Sequence, residues 1–215
     1  MNLSENVVLL HGLGRSSRHM AKLARTLEAQ GYVVHNLDYP SRHYAVERLC
    51  EYIHEKLSHL ISPDQKVHFV GYSLGGLLVR LFLSNPKFRP KNLGRVVQLA
   101  PPNKGTDLAD FWQHQWGYKK IYGPAGQQII TDQSKISHLF SPIDYELGVI
   151  AGTATANPIA SLIIKGKNDG RVSVENTKVE GMKEHIVLHV THRFFPKNKK
   201  VMELTAKFLA QGTFG

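Results

Sequence analysis

The stretch FVGYSLGGLL, residues 69–78, constrains the fold most sharply. An apolar run suited to a buried strand breaks at Gly71. A second one then resumes at helical spacing through Leu74, Leu77, Leu78, Leu81 and Phe82. Only Tyr72 and Ser73 separate Gly71 from the helix, so the chain must turn sharply. Gly71 and Gly75 flank the serine because side chains there would collide as strand and helix pack together. Such a turn holds Ser73 on a strained backbone at the carboxyl end of a strand. The N–H groups and positive dipole end of the following helix point toward it, an arrangement that suits a developing anion.

The rest of the chain repeats the strand–helix alternation. Strands are predicted at 6–10, 32–37, 66–70, 95–100, 147–153 and 186–190, and helices at 17–30, 45–61, 74–84 and 199–211. Residues 103–144 are mixed, with breaks at Gly117, Gly123, Pro124 and Gly126. This order implies an α/β fold: one domain over 1–215, with about six mostly parallel strands and helices on both faces of the sheet. A small cap-like insertion is expected at about 103–146. Sites in such sheets form at the carboxyl ends of strands.

The 215-residue chain has the composition of an ordinary globular protein, with 42% hydrophobic and 20% charged residues. Its one cysteine, Cys50, excludes an internal disulfide and reads as a small buried hydrophobe. The N-terminus, MNLSENVVLL, has no secretory pattern, and no apolar run approaches bilayer length, so a cytoplasmic location is expected. The formal charge is +10, with basic clusters at Arg15/Arg18/Lys22/Arg25, Lys87/Arg89/Lys91/Arg95 and Lys197/Lys199/Lys200. These suit solvated faces or weak association with anionic membrane surfaces. No zinc-finger spacing or RNP-like segment points to nucleic acid, and no nucleic-acid partner is expected.

A G-x-S-x-G elbow requires further parts. The first strand ends in HGLG at 11–14, where glycines let the backbone approach a reacting oxygen. The N–H groups of Leu13 and Leu74 are the expected oxyanion donors, with His11 and Gly12 ordering the loop. The acid should follow a later strand. Asp144, Asp169 and Glu175 are candidates, and Asp169, in the polar loop GKNDGRV at 166–172, lies on the correct side of the fifth strand. The base should follow the last strand. Of His185, His189 and His192, only His192 emerges at that strand's carboxyl end. His189 reads as a core or supporting histidine within the strand.

Together HGLG, GYSLGG, the NDGRV loop and the late histidine resemble the α/β-hydrolase superfamily. The stretch APPNKGTDLAD at 100–110 is similar to a segment of its bacterial lipase and esterase branch. Against the full family core, the first two strands are missing, which makes this a compact form. The resemblance implies acyl transfer to water by Ser73, His192 and Asp169, acting on a small-molecule or lipid ester. It implies no cofactor and no metal, and no second aspartate after His192 suggests the calcium some members bind. A thioesterase, amidase or acyltransferase would use the same residues, and a non-catalytic basic binding module on this fold is the remaining class. Phe111, Trp112 and Trp116 are expected to form an apolar acyl pocket or small flap.

Overall fold

The computed structural model describes residues 5–112, 116–130, 132, 137–155 and 163–215; the side chains of 112 and 116–121 are outside that description. Six strands form one sheet in the order β2-β1-β3-β4-β5-β6. They are β1 (Asn6–Leu10), β2 (Val33–Leu37), β3 (Val67–Tyr72), β4 (Leu93–Leu99), β5 (Leu147–Gly152) and β6 (Glu184–Leu188). Every neighbouring pair is parallel. β1 lies between β2 and β3, so the winding direction reverses there, and the crevice beyond β1 and β3 is the expected site.

Alternation along each strand sends side chains to two layers. Val8, Leu10, Phe69, Val96 and Val149 pack beneath α2 (Val46–Ser58) and α3 (Leu74–Ser84). On the other face Val7, Leu9, Val70, Val97 and Ile150 meet α1 (Ser17–Glu28) and a C-terminal helix, Lys199–Gln211. Both strands and helices are rich in apolar residues that become fully buried, which is the main driving force for the layering. Cys50 is buried in α2, as its sequence context predicts, and burial pushes its thiol pKa well up.

Between β4 and β5 the chain forms α4 (Asp107–Trp112), α5 (Trp116–Gln128) and a short 3-10 turn, Ser137–Leu139. α5 is broken at Gly123, where φ is 65° and Pro124 follows. A β-carbon on Gly123 would meet the Arg42 carbonyl oxygen at 1.7 Å, so the break is also where the β2–α2 loop passes. After β5 come α6 (Val174–Thr177), β6, a 3-10 segment His192–Lys197 and α7 (Lys199–Gln211). One sequence expectation is corrected: His189 is exposed and lies beyond β6, which ends at Leu188. The strand starts and ends two residues earlier than its apolar run suggested.

Candidate active site

Four strand ends supply the parts. At the end of β3, Ser73 has φ 54° and ψ −122° and serves as N-cap of α3. Its N–H donates to the Leu99 carbonyl on β4 at 2.8 Å, which ties the turn to the next strand. Among the described residues the other non-glycine with positive φ is Ala100, at 47°, just past the end of β4. Two strained residues at adjacent strand ends mark a place where the surrounding fold over-determines the backbone. The elbow glycines sit where they must: a β-carbon on Gly71 would lie 2.4 Å from the Gly75 carbonyl oxygen, and one on Gly75 2.2 Å from that of Leu10.

Asp169 sits in the loop after β5, fully buried at 2% exposure. The loop is built on its own polar side chains, with Asn168 Nδ2 donating to the Gly166 carbonyl and its Oδ1 accepting from Gly170 N–H. Asp169 Oδ1 accepts from the N–H groups of Arg171 and Val172, both at 2.9 Å. Gly152, ending β5, makes room for this carboxylate, since a β-carbon there would come 2.8 Å from Asp169 Cβ.

His192, just beyond β6, joins the two. Its Nδ1 lies 2.7 Å from Asp169 Oδ2 and its Nε2 2.9 Å from Ser73 Oγ. A carboxylate bonded in this way only accepts, so Nδ1 carries the proton and Nε2 presents its lone pair to the serine hydroxyl. The backbone is pinned as well: His192 N–H donates to the Asp169 carbonyl, and the Tyr72 hydroxyl donates to the His192 carbonyl at 2.9 Å. The Tyr72 ring lies between those of His192 and His19, at 5.2 and 5.3 Å. Burial raises the Tyr72 pKa well above its ordinary value, so the phenol stays a donor.

The loop after β1 is held by contacts that its sequence does not announce. His11 is fully buried and stacks on Tyr39 at 4.0 Å. Its Nδ1 donates to the Gly12 carbonyl at 2.9 Å, while Nε2 accepts from Tyr39 N–H at 3.4 Å. The Tyr39 hydroxyl donates to the His11 carbonyl. Burial lowers the His11 pKa, in keeping with a neutral ring that orders the loop rather than one that shuttles protons. Gly14, at φ 64°, donates its N–H to Ser41 Oγ at 2.9 Å. No hydrogen bond among the described residues engages Leu13 or Leu74 N–H, and Leu74 opens α3, where N–H groups lack intrahelical partners.

The alternatives lie elsewhere. Asp144 pairs with Arg89 on the surface, Glu175 pairs with Lys104 and Lys178, and His185 bonds Thr177. Phe111 is 52% exposed on α4, while the side chains of Trp112 and Trp116 lie outside the described residues. Tyr72, Tyr39, Ser41 and His19 were missed by the sequence reading. Tyr72 was in plain view inside GYSLGG, but only strand alternation combined with the position of α1 gives its direction. Among the described residues no three His, Cys, Asp or Glu side chains gather as a metal site. No helix among them is long and apolar enough to cross a membrane.

Residues 5–128, more than half of the sequence, match the family model described as the alpha/beta hydrolase fold. The chain belongs to that family. No curated protein matches it in sequence. Among solved structures, the likeness of fold extends to lipase BlEst2 of Bacillus licheniformis in its mature form, at TM-score 0.76 and 20% identity, covering 99% of this chain and 94% of that one. This chain spans 50% of the same lipase in its propeptide form. A monoacylglycerol lipase of Paleococcus ferrophilus aligns at TM-score 0.62 and 21% identity, over 97% and 95% of the two chains. Tomato methylketone synthase I, solved with 2-tridecanone, aligns at 0.64 and 10% identity, over 98% and 100%. At these identities the likeness is one of fold, and the family accommodates more than one chemistry.

Proposed function

We propose that this protein is a serine hydrolase that cleaves carboxylic esters through an acyl-enzyme, with Ser73 as nucleophile, His192 as base and Asp169 as orienting acid. The reading rests on one observation above the others: the continuous row from Asp169 Oδ2 through His192 to Ser73 Oγ, at 2.7 and 2.9 Å. His192 Nε2 takes the hydroxyl proton as Oγ attacks the ester carbonyl. Asp169 holds the tautomer and stabilises the imidazolium. The carbonyl oxygen, now an anion, is received by the N–H groups of Leu13 and Leu74. His192 then protonates the departing alcohol, and water, deprotonated by the same imidazole, releases the carboxylic acid. The lipase names of two structural neighbours support an ester substrate.

The surroundings suggest a leaving half that carries negative charge or sits at an anionic surface. Arg15, Arg171 and Arg193 are exposed, each lies within two residues of a loop or triad residue, and no carboxylate among the described residues pairs with them. The Lys22 ammonium donates to the Lys197 carbonyl, so the first and third basic clusters merge into one face beside His192. Phe194, two residues along from His192, is exposed at 57%. We read the insertion at about 103–146 as a cap-like element, with Phe111, exposed on it, as part of the flap or acyl pocket.

The test is hydrolysis of p-nitrophenyl esters of increasing acyl length by wild type and Ser73→Ala. Turnover in the wild type and a loss of about three orders of magnitude or more in the variant are expected. Full activity in Ser73→Ala removes the proposal. A folded wild type inert at every length shifts the weight to thioester or amide substrates, or to a non-catalytic basic module.

A further inference from the structure

On the α2/α3 side of the sheet, apart from the serine crevice, lies a cavity of about 540 Å³. That is within the usual range for small-ligand pockets. It is walled by Arg80 of α3, Phe140, Ser141 and Ile143 of the segment before β5, and Val179 and Glu180 of the loop before β6. Arg80 is its unusual member. The guanidinium stacks on the Phe140 ring at 4.1 Å. Its protein hydrogen bonds are marginal, from one terminal nitrogen to the Asn103 carbonyl at 3.5 Å and Oδ1 at 3.4 Å. Its Nε is buried with no acceptor among the described residues.

A half-buried guanidinium is normally matched by a carboxylate. Arg89 and Arg95, on the chain that follows α3, each have one, in Asp144 and Glu146. Among the described residues Arg80 has none. Asn103 cannot turn its Oδ1 closer, because its Nδ2 donates to Gln98 Oε1 at 2.7 Å and the Thr177 carbonyl at 2.8 Å, which fixes the amide. Burial depresses the Arg80 pKa, the direction expected of a cation whose desolvation is not repaid by a protein anion.

We infer that this cavity is a binding site for a monocarboxylate with an apolar body, whose carboxylate is held by the terminal nitrogens of Arg80. The ring of Phe140 fixes the plane of the guanidinium, which suits a planar carboxylate. Phe140, Ile143 and Val179 supply apolar wall for the rest of the ligand. Glu180 at the same wall works against a second negative charge, so a singly charged ligand is favoured over a phosphate dianion. The site lies two turns along the helix that begins at the Ser73 elbow, and occupancy would brace that helix. This inference does not depend on the esterase reading.

The probes are sodium octanoate, neutral octanamide and inorganic phosphate, titrated into wild type, Arg80→Met and Ser73→Ala and followed by backbone amide NMR. Octanoate is expected to shift residues 140–143 and 179–181 in wild type and in Ser73→Ala alike. Its affinity should fall about tenfold or more in Arg80→Met and for octanamide in wild type, and phosphate should bind more weakly than octanoate. The octanamide comparison keeps the test valid if Arg80→Met does not fold. Equal binding of octanoate and octanamide, undiminished binding by a folded Arg80→Met, phosphate binding as tight as octanoate, or shifts confined to the Ser73 crevice would each overturn the inference.

Discussion

Two aspartates that are both near strands in the sequence have opposite surroundings. Asp169 is buried, accepts two backbone N–H bonds on one oxygen and holds His192 with the other. Asp144 faces solvent, with 60% of its side chain exposed, and pairs with Arg89. Exposed ion pairs contribute little, about 0–1 kcal/mol. Asp169→Asn keeps the backbone bonds to Oδ1 but can force the imidazole into the wrong tautomer. It is expected to lower kcat by about two to four orders of magnitude. Asp144→Asn should leave kcat within about twofold and stability within about 1 kcal/mol. Steady-state ester hydrolysis by both variants is the measurement, and a larger loss in Asp144→Asn would relocate the acid. Tyr72 belongs to the same level of detail: its hydroxyl donates to the His192 carbonyl, while its ring packs against both His192 and His19.

The strand–turn–helix unit of β3 and α3 shows why glycines carry so much of the geometry. At Gly75 the obstacle is the main chain of β1, since a β-carbon would sit 2.2 Å from the Leu10 carbonyl oxygen. No rotamer change relieves a clash with backbone, so the elbow and β1 would have to separate. Gly31, after α1, is a contrasting case: φ is 91° but nothing lies within 4 Å of an added β-carbon. Gly31→Ala should cost only the conformational term, about 1–2 kcal/mol. Gly75→Ala should cost about 3 kcal/mol or more, with loss of activity because the serine and the Leu74 N–H move together. Urea unfolding of the two variants tests this, and a Gly75→Ala protein as stable as Gly31→Ala would show that the elbow has slack. The need for glycine at 75 is legible in the G-x-S-x-G spacing, though not that β1 is what it clears; the strand–helix alternation and the placing of Asp169 and His192 after β5 and β6 are legible as well. What was not legible depends on partners distant in the chain. His11 reads as ordering the loop after β1, but the ring that stacks on it, Tyr39, comes into place only when β2 pairs with β1. Nothing in the sequence singles out Arg80; it becomes distinctive only when the segment before β5 lays Phe140 across it. His189 reads as a strand residue because the apolar run 186–190 continues past Leu188, where pairing with β5 stops.

Across the whole molecule, twelve histidines on a chain of formal charge +10 set the response to acid. Burial lowers the pKa of His11, His19, His35, His68 and His185 below the ordinary value, and that of His19, which the cations Arg15 and Lys197 also oppose, reaches about 4. In the unfolded chain the same groups protonate near pH 6.5. Below that pH the unfolded state binds more protons than the folded one, so folding stability rises with pH and falls with acid. The stability tied to these depressed values is fully present above about 6.5. It is lost as pH falls toward the folded values, about 4 for His19. Asp144, Glu146, Glu175 and Glu184 act in a lower window, because hydrogen bonds from Arg89, Lys183, Lys104 and Thr213 hold their carboxyls below the ordinary range. Their contribution persists above the ordinary carboxylate values and fades below them. The urea midpoint should therefore drop between pH 7 and pH 5, before carboxylates titrate. His19→Gln, which removes a half-buried group whose Nε2 has no hydrogen-bond partner among the described residues, should flatten part of that slope. Added protons also raise the positive charge, and self-repulsion would act in the same direction. Salt separates the two causes: about 0.5 M NaCl screens repulsion between surface charges but not the desolvation of a buried imidazole. A midpoint that still falls from pH 7 to 5 in high salt, less steeply in His19→Gln, fits histidine burial as the cause. A slope abolished by salt and unchanged in the variant would assign acid sensitivity to the basic surface instead.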